Sequence, residues 1–230
     1  MEISFDQLQK TIGIHFNNQE LLKQAFYHRS YLNEVKQIKE SNERLEFLGD
    51  AILSFLTSLH LYHQFPQYPE GTLTNIRSSV VKTQSLGTAA KKLGFGELLF
   101  LSKGEEEGGG RNNISLLADS FEAFLGALYI DQGIDAAALF LKTQLFPQII
   151  SIVKNKTYVD FKSYLQELVQ ETHKISPNYD VVKTEGPDHD RTFWIEVKIG
   201  QKTLGSGIGK SKQEGEQQAA KNALEKMGRL

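Results

Sequence analysis

The placement of proline limits the fold of this chain more than any other feature of its sequence. The five prolines are Pro66, Pro69, Pro147, Pro177 and Pro187, so the stretches 1–65 and 70–146 contain none. Proline interrupts helices because it lacks a backbone N–H and its ring clashes with the preceding turn. Apolar residues recur at helical spacing through both stretches, and the chain up to about residue 150 is therefore predicted to be all helical.

The helical spacing defines five candidate helices and one domain boundary. The candidate helices cover 19–33, 42–64, 72–93, 115–131 and 136–146, and the Pro- and Gly-rich segments 66–71 and 104–111 are predicted to be loops. The spacing lapses over 151–160. We therefore predict a helical domain over 1–152, a linker over 153–159 and a second domain over 160–229.

The second domain has a different pattern. Apolar residues at 161, 165, 168 and 169 predict an amphipathic helix, and the strict alternation over 193–199 predicts a strand. Segments 179–183 and 203–207 are its expected neighbours, and an alanine-rich helix begins at Ser211. The predicted fold class is an all-α domain followed by a small α+β domain of order α-β-β-β-α with an antiparallel sheet.

Composition excludes several classes of protein. The chain has no cysteine, which excludes a disulfide scaffold, a thiol nucleophile and a thiolate zinc site. No uncharged stretch reaches the roughly 18 residues that a membrane span needs, and the N-terminal segment is mixed in polarity. We expect a soluble cytosolic protein that does not enter a membrane.

Segment 42–64 places three acidic residues on one face of a helix. Glu43, Glu46 and Asp50 fall within about 60° of one another at helical pitch. The opposite face is predicted to supply the core, through Leu45, Leu48, Ile52, Phe55 and Leu59. Phe47 falls among the acids, away from that core, which indicates a surface that docks a second molecule. A solvated polar face is the alternative interpretation of these acids.

Segment 115–131 carries Asp119 and Glu122 one turn apart in otherwise apolar surroundings. A carboxylate in a largely buried helix must be protonated, paired with a base or bound to a metal. The helix itself offers no cation before its end. Arg44, Arg77 and Lys82 are the candidates for a purely structural pairing through tertiary contact.

If these two segments face each other, Glu46, Asp50, Asp119 and Glu122 meet. At about 5 Å and an effective dielectric near 20, each pair of charges repels by roughly 3 kcal/mol. Six such pairs exceed the roughly 5–15 kcal/mol that stabilises a domain. The cluster therefore requires divalent cations or bound protons. Carboxylate oxygens favour hard ions, Mg²⁺ first and Mn²⁺ next, and such ions serve phosphoester chemistry.

The same residues resemble a known family. The string Asn-Glu-Arg-Leu-Glu-Phe-Leu-Gly-Asp at 42–50 is similar to the signature of ribonuclease III. Glu70-Gly71 with Arg77, Gly109-Gly110-Arg111 and Leu117-Ala-Asp-Ser-Phe-Glu122 stand in the order that the family shows. The likeness covers essentially the whole chain. It implies a homodimeric, Mg²⁺-dependent endonuclease of double-stranded RNA in which Mn²⁺ can substitute and no organic cofactor takes part.

The resemblance also implies roles for individual residues. Glu46, Asp119 and Glu122 would bind the metal, Asp50 and Glu122 would be the catalytic pair, Glu43 and Glu70 would be supporting acids, and Phe47 would insert into the partner subunit. The implied products have 5′-phosphate and 3′-hydroxyl ends with a short 3′ overhang. Precursors of ribosomal RNA and some messengers are the implied targets.

The second domain resembles a double-stranded-RNA-binding domain. The net charge of the chain is −2, yet the window 197–213 contains four lysines and no acid. The resemblance assigns RNA contacts to Ser163, Gln166, Pro187, His189, Lys210, Ser211 and Lys212. Gln213 stands where the family usually has a second adjacent lysine. Gly215 stands where the family commonly has alanine, and glycine should destabilise the helix by about 1 kcal/mol. We expect RNA binding that is weaker but still sensitive to salt.

The remaining histidines are interpreted as structural. His60 and His63 lack an acid at metal-ligand spacing, and His28-Arg29-Ser30 shows no carboxylate that would orient the histidine in a triad. Two rival functions stay open beside the endoribonuclease. One is a binding-only protein on the same scaffold, which would be expected to lose the acids, and the other is a metal phosphohydrolase of small substrates, against which the RNA-binding module argues.

Overall fold

The computed structural model describes residues 4–187 and 190–229 of the chain. The chain divides into two units, Met1–Tyr158 and Val159–Leu230. The helices of the first unit are α1 (Phe5–Ile12), α2 (Gln19–Gln24), α3 (Glu43–Gln64), α4 (Glu70–Val81), α5 (Thr83–Lys92), α6 (Phe95–Leu98), α7 (Lys103–Glu107), α8 (Ile114–Gln144) and α9 (Pro147–Lys154). Short 3₁₀ turns cover Arg29–Asn33 and Gly110–Asn112.

Helix α8 is the centre of the first unit. Thirteen of its residues are buried, and the core around it contains the buried phenylalanines Phe16, Phe26, Phe95, Phe121, Phe124 and Phe140. By length and composition α8 is also the one helix, within residues 4–187 and 190–229, that could cross a membrane. Its burial and its four acidic residues, Asp119, Glu122, Asp131 and Asp135, identify it as a core helix of this unit. Gly133, at φ 82°, interrupts its helical geometry, near the break predicted between 131 and 136.

Helices α3 and α8 approach each other closely because two glycines stand at their contact. A Cβ atom on Gly49 would lie 1.8 Å from the carbonyl oxygen of Glu122, and one on Gly126 would lie 2.2 Å from the carbonyl oxygen of Leu45. No larger residue fits at either position without separating the helices. This approach brings the acidic segments of the two helices together.

The face of α3 that enters the core differs from the prediction. Phe55 and Leu59 were predicted to be core residues, but they are 57% and 43% exposed. The buried residues of this helix are Leu45, Gly49, Ile52, Leu53, Leu56, Thr57 and Leu61. The prediction was wrong because the buried face is centred on Gly49, which has no side chain to mark it as apolar.

Several local elements were also missed or simplified. The helix predicted over 19–33 is α2, which ends at Gln24, followed by the separate 3₁₀ turn Arg29–Asn33. Helix α1 was not predicted, although Ser4 and Gln7 form a reciprocal capping box at its start. The helix predicted over 72–93 is two helices separated at Lys82. The predicted loop over 104–111 contains α7, which is capped by Ser102.

The second unit has the predicted order α-β-β-β-α. Helix α10 (Phe161–His173) precedes strands β1 (Asn178–Glu185), β2 (Thr192–Ile199) and β3 (Lys202–Gly209), and α11 (Lys212–Lys226) follows. The strands form an antiparallel sheet in the order β1-β2-β3. Both helices and the inward residues of β2 share one small core, with Leu165, Ile195, Val197 and Ala220 fully or almost fully buried.

Gly215 has a packing role that its helix propensity does not reveal. It is buried in α11, where an added Cβ would lie 2.6 Å from Cγ1 of Ile195 on β2. Gly205, Gly207 and Gly209 on β3 likewise face the backbone of α11 at distances that exclude a Cβ. Glycine at position 215 lowers the helix propensity of α11, but it also allows a close contact between α11 and the sheet. Alanine would disturb that contact.

Candidate functional site

Three carboxylates from two helices meet in the first unit. Glu46 on α3 and Asp119 and Glu122 on α8 each offer an oxygen, and these oxygens lie within 4.8 Å of one another. All three side chains are half-buried. These residues, called here the carboxylate cluster, are the three to which the family resemblance assigns a metal.

The N-terminus of α3 is anchored beside the cluster. Asn42 is buried, its side-chain Nδ2 donates to the carbonyl of Ala25 at 3.3 Å, and its backbone N–H donates to the carbonyl of Tyr27 at 2.8 Å. Tyr27 in turn pairs with Phe100 through an isolated bridge. The first turn of α3, with Glu43 and Glu46, is therefore fixed to the segment that precedes it.

The other predicted acids occupy different surroundings. Asp50 is exposed one turn beyond Glu46. Glu43 accepts from the hydroxyl of Ser41 at 2.8 Å and lies 3.9 Å from Arg29. Glu70 starts α4, accepts from the hydroxyl of Thr74 at 2.9 Å and lines a groove between α3 and α4. Within one chain, Glu70 and Glu43 therefore line two different cavities.

Burial and mutual repulsion favour the protonated forms of the cluster in the absence of a cation. Burial, with the charges of Asp50, Glu46 and Asp119, raises the pKa of Glu122 to about 8. Burial is also the main cause that raises the pKa of Glu46, with Asp119 as the next contributor. The pKa of Asp119 is raised by burial, and nearby His28 opposes this increase.

Among the described residues, the structure does not contain the alternative in which Arg44, Arg77 or Lys82 pairs with the buried carboxylates. Arg44 pairs with Glu40, and Arg77 donates to the hydroxyl of Ser58 at 2.9 Å. Throughout the part of the chain that the structure describes, no ion pair includes Glu46, Asp119 or Glu122. Three converging carboxylate oxygens that make no such ion pair form a donor set that suits a hard divalent cation.

The metal-free protein is expected to lose stability as the pH rises from about 4.5 to about 8. The pKa of Glu122 has an ordinary value of 4.5 and is raised to about 8 in the fold. Between these values the folded protein retains a proton that the unfolded chain has released, so this contribution is complete below pH 4.5 and lost above pH 8. Urea unfolding in EDTA at about pH 5 and about pH 8.5 measures the loss. Glu122→Gln should lose less stability than the natural sequence, and equal losses would contradict the expectation.

An apolar face of α3 is left uncovered. Phe47 is 81% exposed and Tyr62 is 68% exposed. With α4, the outer residues of α3 line a groove of about 660 Å³ that includes Phe55, Leu59 and Leu73. The exposure of Phe47 agrees with its position on the helical wheel, and exposed aromatic surface of this kind is typical of interaction sites.

The predicted RNA contacts lie on the surface of the second unit. Lys210, Ser211 and Lys212 are exposed at the start of α11, where the hydroxyl of Ser211 accepts from the N–H of Glu214 and caps the helix. Lys210 also contacts Asp190, with Nζ 2.6 Å from the carboxylate. Ser163 and Gln166 are exposed on α10, and Pro187 is exposed after β1. His189 lies outside the described residues.

One residue near the cluster was interpreted as structural from sequence. His28 lines a cavity together with Glu46 and Asp119, although it is distant from both in the sequence. A sequence pattern gives no signal for such a contact, because the contact depends on the pairing of Tyr27 with Phe100 and on the anchoring of Asn42 to Tyr27.

Two family models match the chain, and together they cover both units. The model described as Ribonuclease-III-like matches residues 18–149. The model of the double-stranded RNA binding motif matches residues 161–227.

Full-length relatives and solved domain structures agree with these matches. The chain is 48% identical over 229 residues to Ribonuclease 3 of Anoxybacillus flavithermus, and the aligned region covers 99% of this chain and 96% of the relative. It is 48% identical over 219 residues to Ribonuclease 3 of Enterococcus faecalis, covering 95% of each. A structure of the nuclease domain of ribonuclease III from Campylobacter jejuni is 30% identical, with a TM-score of 0.59, and covers 63% of this chain and 97% of that domain. It is described as showing structural flexibility in a region involved in dimer formation.

Proposed function

The chain belongs to the ribonuclease III family and is an endoribonuclease of double-stranded RNA, and we propose that its cleavage depends on Mg²⁺ bound by Glu46, Asp119 and Glu122. The observation that carries this proposal is the meeting of three carboxylate oxygens within 4.8 Å. Their unfavourable burial without a cation supports it. All-oxygen donor sets select Mg²⁺, with Mn²⁺ as the expected substitute.

The residues around the cluster divide the work of hydrolysis. When bound, a divalent ion supplies Lewis-acid activation of water and neutralises charge on the phosphate. Glu46, Asp119 and Glu122 would hold this ion through their carboxylate oxygens. Asp50 is exposed at the adjacent turn, where its carboxylate can accept a hydrogen bond from water and orient that water toward the phosphorus. We assign Glu43 to a supporting role at the edge of this site.

The proposed products and targets come from the family resemblance. Attack by water on the phosphorus with departure of the 3′ oxygen leaves a 5′-phosphate and a 3′-hydroxyl, and two sites acting on opposite strands leave a short 3′ overhang. We propose precursors of ribosomal RNA and other structured transcripts as substrates. The proposed location is the cytoplasm, which holds such RNA in the bacteria where the relatives occur.

A long RNA duplex incubated with the protein tests this function. In Mg²⁺ the duplex should be shortened to small duplexes with 5′-phosphate ends, and in EDTA it should be bound but left intact. Binding without cleavage under both conditions would identify a binding-only protein. Cleavage in EDTA would overturn the metal assignment.

We propose further that two copies of the chain associate through the uncovered face of α3. The exposed aromatic residues Phe47, Phe55 and Tyr62 and the groove beside α4 supply the apolar centre that a stable interface needs. Dimer formation in the related Campylobacter jejuni domain supports this proposal. Glu70 lines the same groove, so the interface is also where this acid could reach a partner.

Phe47→Arg is expected to dissociate the dimer. An aromatic anchor at the centre of an interface contributes about 2 kcal/mol or more, which is roughly a 30-fold change in the dissociation constant. Sedimentation should show the natural sequence at twice 25.9 kDa and the variant at 25.9 kDa. Ile150→Arg is the matched control, because Ile150 is 73% exposed on α9. Dimers of both variants would contradict the proposed interface.

Lys212→Ala is expected to weaken duplex binding and to lower its salt dependence. Lys212 is exposed at the start of α11 and, within the described ranges, makes no ion pair that would occupy it. Loss of one phosphate contact should reduce the slope of log affinity against log salt by about 1. Lys226→Ala, at the far end of the same helix, should leave the slope unchanged. An affinity that does not respond to salt would contradict phosphate binding by this surface.

A further inference from the structure

A cavity of about 280 Å³ adjoins the carboxylate cluster, and part of its lining has no role in the metal binding proposed above. Leu99 and Leu116 form an apolar wall of this cavity, and Glu46 and Asp119 are shared with the cluster. His28 and Arg29 bring basic side chains to its lining. Whatever occupies the cavity is therefore next to the position where the phosphodiester is hydrolysed.

The position of His28 is fixed by bonds on both sides. Its backbone N–H donates to the carbonyl of Phe100 at 3.1 Å. Its ring atom Nδ1 lies 2.8 Å from the hydroxyl of Ser30 and accepts from the backbone N–H of Ser30 at 3.4 Å. The hydroxyl of Ser30 itself accepts from the N–H of Ser102 at 3.0 Å, so the ring is held by a chain of bonds that reaches α7.

These bonds determine which ring nitrogen of His28 carries the proton. A backbone N–H can only donate, so Nδ1 is an acceptor and the proton of the neutral ring is on Nε2. Across residues 4–187 and 190–229, no group accepts a hydrogen bond from Nε2. The ring therefore lines the cavity with its second nitrogen free to donate.

We propose that His28 binds the RNA strand that is cleaved, through a hydrogen bond from Nε2–H to a phosphate oxygen next to the scissile phosphodiester. This inference rests on the proposed function. Duplex RNA presents its ribose-phosphate backbone while its bases are hidden in a narrow groove, so the backbone is what can approach the cavity. A donor there, beside Arg29, would hold the neighbouring phosphate and orient the reacting one against the cluster.

Two substitutions separate an RNA contact from a structural role. In His28→Gln the amide nitrogen can take the place of Nε2, whereas in His28→Asn the amide oxygen can take the place of Nδ1 and keep the bond to Ser30. If His28 contacts RNA, the Asn variant should cleave a duplex about 10- to 100-fold more slowly in single turnover. The Gln variant should stay within about threefold of the natural sequence. The reverse order, with Asn active and Gln impaired, would overturn the proposal.

Modified duplexes test the same contact in the unaltered enzyme and do not depend on the folding of a variant. A methylphosphonate at one of the two phosphates that flank the cut should slow cleavage about 10- to 100-fold. The same modification should cost little more in His28→Asn. A 2′-deoxy substitution at the flanking nucleotides should have little effect, and a loss confined to this substitution would overturn the phosphate assignment. So would the absence of any loss at both flanking phosphates.

The unmodified duplex with the natural sequence is the reference for both tests. Its cleavage in Mg²⁺ establishes the proposed function independently of His28. If that cleavage fails, the proposed function fails. If it proceeds and neither the Asn variant nor the modified phosphates slow it, only the role of His28 is refuted.

Discussion

Glu122→Gln is expected to lower the rate of duplex cleavage by about 10³-fold or more. The substitution removes one anionic oxygen of three from the cluster. The charge stabilisation that a bound metal ion supplies is several kcal/mol, and about 4 kcal/mol corresponds to 10³-fold in rate. Glutamine has nearly the same shape and no charge to bury, so the fold should be kept. Duplex binding should also be kept, because the predicted RNA contacts of the second unit are unchanged.

Single-turnover cleavage and duplex binding in EDTA, measured on the same preparation, check this result. Glu107→Gln is the matched control, since Glu107 is exposed on α7 and is not part of the cluster. It should cleave at the natural rate. Undiminished cleavage by purified Glu122→Gln would show that this carboxylate does not take part in the reaction.

Gly49→Ala is expected to damage both the stability and the activity of the first unit. Its Cβ would be placed 1.8 Å from the carbonyl oxygen of Glu122, so α3 and α8 must move apart. Overpacking of this kind costs about 1–3 kcal/mol, sometimes more. The same displacement separates Glu46 from Glu122, and a misplacement of about 1 Å can lower the rate about 10²-fold.

Gly104→Ala provides the comparison. An added Cβ at Gly104 in α7 meets nothing within 4 Å, and its stability and cleavage rate should match those of the natural sequence. Urea unfolding and single-turnover cleavage measure the two effects for both variants. If Gly49→Ala is as stable and as active as Gly104→Ala, the close approach of α3 and α8 is not what positions the cluster.

Much of the architecture could be predicted because it depends on local patterns. The absence of proline and the helical spacing of apolar residues identified the all-helical first unit, and the strict alternation over 193–199 identified β2. The α-β-β-β-α order and the family are confirmed. The meeting of Glu46 with Asp119 and Glu122 was posed as a condition and was supported by the family resemblance. The cost of buried charge predicted only that such a cluster would need divalent cations or bound protons.

The errors come from contacts that a helical wheel does not contain. Phe55 and Leu59 were predicted to be core residues because a helical wheel locates the buried face from large apolar side chains. The closest contact of α3 with α8 is instead made by Gly49, which has no side chain. Helix α1 was overlooked despite its capping box, because a short segment has few apolar positions to count. The position of His28 beside Asp119 was not predicted, because it arises from hydrogen bonds to Phe100 and Ser30 that link separate segments. The structural interpretation of His28 itself stays a prediction.

Binding of Mn²⁺, followed through the EPR signal of the free ion, is the most direct test of whether Glu46, Asp119 and Glu122 hold a divalent cation. The natural sequence and the Glu107→Gln control should bind Mn²⁺ with the same affinity. We expect weaker Mn²⁺ binding in each of three variants, Glu46→Gln, Asp119→Asn and Glu122→Gln. The expected loss is about tenfold or more, because removing even a group that only supports a metal ligand costs about that much. An affinity that is the same in all five proteins would contradict the assignment of the cluster as a metal site.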